Sequence, residues 1–462
     1  MKINLNHAVA LTVALVTGAM SFTSCTSDIE VDKNVDPAGN AISFATSVGH
    51  TTRATETKQG NLGNFAVVAR GMHHDGVLYD SYLIGSSTGG DIARREGNSN
   101  TWKLDHYVYW PATLNKVLFY AYTALNSNDG DKTDVLGTGP VLGFEGDNPY
   151  IDNFKPLKAT APENNLQADG KDQDDLLVAY TAQKKSHSET NVNLNFKHAL
   201  TQISINAKQT GKLDNDHRIV RIKGAWIVNA AASGKLTAKS TKSMEGTEYV
   251  YTYEDSWTPT GTDTYGSVWK DVVQLDKDNS SDLLRGISLM LIPQNLTAWD
   301  WEHDKTNSNK GAYILLLCRV ELVHDGSTHP RANLDDIGIE GDKHLHQLFP
   351  VNTEKYDGTQ YGFACVPLSS LWNDEGIGKH YTYNLNICGN GTGAGKYPPA
   401  AEAAALASLV PADSFGISVV LNDPGVTGKT AGDNVLDEPI QFTVDVDPWE
   451  TSGDWTPGDI DF

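Results

Sequence analysis

The chain has 462 residues, 20% of them charged, with 58 Asp+Glu against 36 Lys+Arg and a formal net charge of −22. This balance argues against nucleic-acid binding, which relies on clustered Lys/Arg to displace counterions from phosphates, and it argues equally against electrostatic binding to anionic lipid. Hydrophobic residues at 39% describe a globular chain, and 4 Cys are too few for a disulfide scaffold.

The first residues read as an address. Lys2 and His7 precede an apolar run from Ala8 to Met20. That run is too short to span a bilayer, which takes about 20 apolar residues, and it has the dimensions of a signal-peptide core. Ser21-Phe22-Thr23-Ser24-Cys25 follows. Small residues directly before a Cys resemble a bacterial lipobox, although Phe22 stands where Leu is usual. Residues 1–24 are then a lipoprotein signal peptide, and Cys25 carries the acyl chains that hold the protein to a membrane. The alternative is cleavage nearby with Cys25 incidental. Asp28, Glu30 and Asp32 come next; they resemble the surface-export signal of bacterial surface lipoproteins, the alternative being a plain solvated linker.

Beyond the address the dominant period is two. Ile42, Phe44 and Val48 give a short strand with one apolar face. Val192, Leu194, Phe196 and His198 alternate with polar residues, as do Ile203, Ile205 and Ala207. Each pattern predicts a half-buried strand. Leu176 to Tyr180 and Tyr313 to Leu317 are denser and predict central strands covered on both faces. The one helix-favouring run is Ala400 to Leu409, bounded by Pro398-Pro399 and Pro411. Ile440, Phe442, Val444 and Val446 close the pattern, alternating with Gln441, Thr443, Asp445 and Asp447. Turn-rich spacers between the strands indicate β-sandwich domains. A polar, Gly-containing stretch at Thr210 to Asp216 reads as a linker. It divides the chain into an N-terminal sandwich at 41–212 and a C-terminal one at 213–447, with a tail at 448–462.

No constellation carries catalysis. Gly389 to Lys396 has phosphate-loop composition, but Tyr397 stands where Ser or Thr should bind magnesium. A flexible loop is the expectation there. His344 and His346 share a strand face but lack a nominated third metal ligand, so no metal site is expected. His73-His74-Asp75 reads as a turn, and His198 as a core histidine. The acidic runs Asp129 to Asp134 and Asp169 to Asp175 miss the calcium-loop spacing. Cys318, Cys365 and Cys388 are expected as buried free thiols.

Several segments together resemble the fimbrillin family of Bacteroidales pilus subunits and accessory proteins. They are the lipobox-like start, Ile42-Ser43-Phe44 with Thr52-Arg53-Ala54, Tyr109-Trp110-Pro111, and Asp174 to Ala179. Phe196-Lys197-His198-Ala199-Leu200, Met290-Leu291-Ile292-Pro293-Gln294 and Phe442 to Trp449 complete the set. The resemblance implies an all-β fold of two transthyretin-like β-sandwich domains in tandem, with one short helix. It implies a surface-exposed outer-membrane lipoprotein precursor, cut by a trypsin-like protease between Arg53 and Ala54. Residues 25–53 would then be a lipidated propeptide holding a removable first strand with Ile42 and Phe44. A strand of another pilus subunit would fill the vacated groove by β-strand addition. Ile440, Phe442, Val444 and Val446 have a donor strand's pattern. They could equally be the last strand of the C-terminal domain, and Lys58 and Arg70 are alternative cleavage points. The leading reading is a structural, adhesive component of a cell-surface fimbrium, without catalysis or cofactor, able to meet a host or bacterial surface receptor. The runner-up is a carbohydrate-binding surface lipoprotein, which an exposed row of aromatic residues would favour. Tyr107 and Tyr109 are read here as core residues on one strand face.

Overall fold

The structure is a computed structural model. It describes residues 41–448 except 49–61, 98, 115, 125–135, 137–138, 157–174, 185–190, 210–216, 287, 309, 327–335, 352–354, 373–376, 390, 400–404, 406–407, 411–415, 422–427 and 437. Cys25, Arg53 and Ala54, the signal peptide and the tail from Trp449 therefore lie outside the described residues, as do the acidic run at Asp129 to Asp134 and most of the expected helix.

In chain order the strands begin with β1 (Ser43–Val48), β2 (Phe65–Met72), β3 (Leu78–Ile84), β4 (Asp91–Arg95), β5 (Trp102–Leu104), β6 (Lys116–Thr123), β7 (Val141–Glu145), β8 (Asn148–Phe154), β9 (Leu177–Gln183), β10 (Asn191–His198) and β11 (Thr201–Lys208). They continue with β12 (His217–Ala230), β13 (Ser233–Glu245), β14 (Glu248–Thr260), β15 (Asp263–Gln274), β16 (Ser281–Asp282), β17 (Leu289–Leu291), β18 (Asn295–Leu296) and β19 (Tyr313–Asp325). The last are β20 (Gly338–Glu340), β21 (Lys343–Phe349), β22 (Gln360–Pro367), β23 (Ser370–Leu371), β24 (Lys379–Asn386), β25 (Ser418–Val420) and β26 (Gln441–Pro448). The fold is all-β, as the period of two predicts. Among the described residues no helix is long and apolar enough to cross a membrane.

The N-terminal strands form one sheet in the order β3-β2-β4-β5-β1-β10-β9-β6, and a further pairing of β2 with β6 closes it into a ring that leaves β3 paired to β2 alone. The alternation in β10 explains how this closed layer fills: Val192, Leu194 and Phe196 point inward while Asn193 and Asn195 stay exposed. Phe44, Phe65, Trp102, Phe119 and Leu177 complete that interior. β9 is covered on both sides because Val178 faces a second core outside the ring. That outer core holds Tyr120, Tyr122, Leu200, Leu236 and Trp257, and lies beneath the sheet β14-β13-β8-β7. Stacked rings pin this sheet down. Tyr180 lies 5.1 Å from Tyr120 and 4.7 Å from Tyr253, and its hydroxyl donates to Asp255 at 2.7 Å.

The second layer pair encloses the largest core. One sheet runs β15-β12-β19-β21-β20, with β22 on the first half of β19 and β25 beyond it. The other runs β16-β11-β24-β26. Ile203, Ile222, Ile314, Leu316 and Tyr383 meet between them. The dense run of β19 has a simple cause: Ile314 and Leu316 face this core while Leu315 and Leu317 face another. The second face ends in Arg319 and Glu321, each 1% exposed, whose charges are compensated by Nε donation to Oε1 at 2.7 Å. Strand pairing crosses the linker-like segment 210–216. β11 ladders with β24, and β13 pairs with β8.

Two local expectations change. The second half of the Gly389 to Lys396 stretch, Thr392 to Lys396, is packed, with Thr392, Ala394 and Lys396 buried. A Cβ at Gly393 would fall 1.7 Å from the carbonyl oxygen of Glu438, so the glycine serves close backbone approach. Tyr107 is 64% exposed and is not a core residue. Among the described residues it is the one Phe, Trp or Tyr that is largely exposed.

Candidate functional site

β1 is the only segment described before residue 62, and it is fully built into the ring. It runs parallel to β10 over its whole length, from Ser43 opposite Asn191 to Val48 opposite Phe196. Its other edge meets β5 at one residue pair, Phe44 with Trp102. Just before the strand, the Ile42 amide donates to the Val108 carbonyl at 2.7 Å. Two hydroxyls reinforce the ladder on the outer side: Ser43 Oγ donates to Asn191 Oδ1 at 2.5 Å, and Ser47 Oγ to Asn195 Oδ1 at 2.6 Å.

The inner side is apolar. Ile42 and Val48 are each 3% exposed and Phe44 is 0% exposed. The Phe44 ring makes edge contacts with Phe65 at 5.9 Å and Phe119 at 6.1 Å. Each such side chain contributes about 1.5–3 kcal/mol by leaving water. Without β1 the ring would open between β10 and β5. The gap would expose the edge of β10 and a row of empty apolar positions. An open edge of this kind is a template for another strand.

The nearest described basic residue after β1 is Arg70, and it is poorly placed for proteolysis. It lies inside β2, donates from Nε to the Tyr79 carbonyl at 2.9 Å and pairs with Asp147 at 3.1 Å. Arg53 and Lys58 lie outside the described residues.

The C-terminal segment makes the complementary observation. β26 is the edge strand of its sheet and pairs with β24 alone, antiparallel, from Gln441 opposite Asn386 to Pro448 opposite Lys379. Its apolar face is covered at one end only. Ile440 is 6% exposed and Phe442 packs partly against the core, 6.0 Å from the Tyr383 ring. Val444 is 38% exposed and Val446 is 50% exposed.

Placed side by side, the two segments share an order. Ile42-x-Phe44-x-Thr46-x-Val48 and Ile440-x-Phe442-x-Val444-x-Val446 differ on the inner face only by Thr against Val, which have the same shape. The match holds in one chain direction and not in reverse. It was open to sequence inspection, but only the register of β1 on β10 gives it meaning.

The remaining sequence candidates are structural. His198 is 3% exposed, and its Nδ1 donates to Asp175 Oδ1 at 2.9 Å. The Asp-Leu-Leu and Phe-Lys-His segments are thereby tied across β9 and β10. Cys318, Cys365 and Cys388 are free and buried, and burial pushes the Cys318 and Cys365 thiols well up. His344 and His346 sit on β21, and the cross-strand register adds His324 of β19 opposite His344. That third histidine is far off in sequence and had no local signal.

Comparison with known proteins places the chain. Among solved structures it is similar to a fimbrial protein from Bacteroides vulgatus at 15% identity and a TM-score of 0.40, covering 75% of this chain and 94% of that one. It is similar to a protein assigned provisionally to cell adhesion from Bacteroides eggerthii at 12% identity and a TM-score of 0.34, covering 90% and 98%. A third, with the same provisional assignment and from Parabacteroides distasonis, shares 11% identity at a TM-score of 0.36, covering 90% and 99%. No curated protein matches. The fimbrillin-like family profile matches residues 52–311, more than half of the sequence, and the chain therefore belongs to the fimbrillin-like family.

Proposed function

We propose that this protein is a structural and adhesive subunit of a cell-surface pilus, exported as a lipoprotein precursor and assembled by protease-triggered strand exchange. Family membership supports the pilus-type adhesive role. The strand exchange rests on one observation, the shared order of Ile42, Phe44, Thr46 and Val48 with Ile440, Phe442, Val444 and Val446. The first set is seated in the ring, and the second lies on a sheet edge with two valines exposed.

In this reading acylated Cys25 holds the precursor at the outer membrane, with the protein facing outward. β1 fills its own groove and keeps the edge of β10 from pairing early. Cutting between Arg53 and Ala54 separates β1 from the rest of the chain. The 440–446 segment of another subunit then enters parallel to β10, with Phe442 in the position of Phe44. The incoming Val444 replaces Thr46 with an apolar group of equal shape. The acidic chain stays soluble until a partner strand arrives. Adhesion to a host or bacterial surface receptor is the task of the assembled fibre, and no catalysis or cofactor is invoked.

The experiment is limited trypsin digestion of the purified precursor, read by mass spectrometry and negative-stain electron microscopy. Cutting after Arg53 followed by fibres supports the proposal. Fibres that form equally well with Arg53→Ala would refute the processing step. Phe442→Asp should abolish fibres while leaving the monomer folded. An unfolded Phe442→Asp monomer would make the strand a core element instead.

A further inference from the structure

His324 and His346 bring two imidazoles together at one end of the β19–β21 ladder. Their Nε2 atoms are 2.7 Å apart, and the rings lie nearly parallel with centroids 4.9 Å apart. His344, 2% exposed, forms the inner wall, its ring 5.4 Å from that of His324. Both outer histidines are half-buried and so reachable from solvent.

The tautomer of His324 follows from its other nitrogen. Nδ1 lies 2.9 Å from the carbonyl oxygen of Asp325, an atom that can only accept. Nδ1 therefore carries the proton, and in the neutral ring Nε2 presents its lone pair toward His346. Histidines that bind metals are oriented in this way, with the far N–H given to a backbone carbonyl. The His346 Nε2 proton completes the N···N contact when no ion is there.

We propose that His324 Nε2 and His346 Nε2 chelate a borderline divalent cation of the zinc class. At tetrahedral Zn–N distances of about 2.0–2.1 Å two ligand nitrogens stand about 3.3–3.4 Å apart, so the pair needs to open by about 0.6–0.7 Å. The ion takes the position of the His346 Nε2 proton, and that same proton moves through solvent to Nδ1 of the His346 ring, so both imidazoles stay neutral. Among the described residues no three His, Cys, Asp or Glu side chains form a metal-binding group. The site is accordingly an open two-imidazole chelate completed by water, and its affinity is modest. It would tie the ends of β19 and β21 together beside β20. It is independent of strand exchange, since it lies on neither β1 nor β26.

The test is calorimetric titration of the full folded chain with zinc chloride near pH 7.5, with nuclear magnetic resonance of the imidazole signals in parallel. One site is expected. His324→Asn and His346→Gln should each weaken it at least tenfold, whereas His303→Ala, an exposed histidine held by Asp300, should leave it unchanged. In the unsubstituted chain the His324 and His346 signals should move first. Equal zinc affinity in the substituted and unsubstituted chains, or earlier movement of other histidines, would overturn the proposal. The resonance measurement keeps this decision independent of how well the variants fold.

Discussion

Asp175 and His198 form a buried pair, carboxylate to imidazole at 2.9 Å, where β9 and β10 meet. Both side chains are almost fully shielded from water, so this contact forms in a low-dielectric interior. Asp175→Ala should lower folding stability by about 3 kcal/mol, in the range for breaking a buried charged pair. Asp175→Asn, which keeps the shape and one acceptor, should cost less. Urea denaturation followed by tryptophan fluorescence gives both values.

Gly393 supplies a steric prediction. Its missing Cβ would overlap the carbonyls of Leu436 and Glu438, both backbone atoms of the segment leading into β26. Gly393→Ala should therefore destabilise the protein by about 1–3 kcal/mol, as overpacking does. Thermal melting would register it. An unchanged melting temperature would mean that this backbone approach is looser than described.

The three described cysteines offer a chemical probe. All are buried, and Cys318 and Cys365 are held as neutral thiols by desolvation. A thiol reagent such as dithionitrobenzoate should label none of them in the native protein and all three after denaturation, because the thiolate is the reactive form.

Glu248 begins β14, and Lys116 and Lys184 both contact it. The two ammonium groups hold its carboxyl at about 2, below its ordinary value near 4.5. A depressed carboxyl contributes stability above the unfolded value and loses it as pH falls through the folded one. The contact should thus persist above about pH 4.5 and vanish near pH 2. Carboxyl resonance titration would give the midpoint, and Glu248→Gln should flatten the pH dependence of hydrogen-exchange protection factors in the β13–β14 hairpin over that window.

Much of the fold was legible because strand alternation is local. Val192, Leu194 and Phe196 declare their inner face, and the dense Tyr313 to Leu317 run declares two covered faces. Pairing partners were not legible. The polar stretch near residue 212 reads as a boundary, yet β11 before it ladders with β24 after it, and β13 returns to β8. Such contacts are set by side chains far apart in sequence. Gly393 was misread for the same reason, since glycine marks both slack loops and tight approaches. The His324–His346 pair depends on cross-strand register, which alternation does not fix. For the candidate site, the apolar faces of 42–48 and 440–446 were visible, but their unequal burial was not.

The central claim is that residues 440–446 of one subunit occupy the place of residues 42–48 in the next, in the same direction. Ala45 lies opposite Asn193, so the incoming Thr443 should lie opposite Asn193 as well. Both side chains are exposed and can be replaced without disturbing the cores. The direct measurement is disulfide cross-linking of a chain carrying Asn193→Cys and Thr443→Cys, oxidised after cleavage at Arg53 and run on a non-reducing gel. The account predicts a ladder of covalent oligomers that needs both cysteines and prior cleavage. Fibres that form without that cross-link, or a cross-link that forms equally in the uncut precursor, would contradict it.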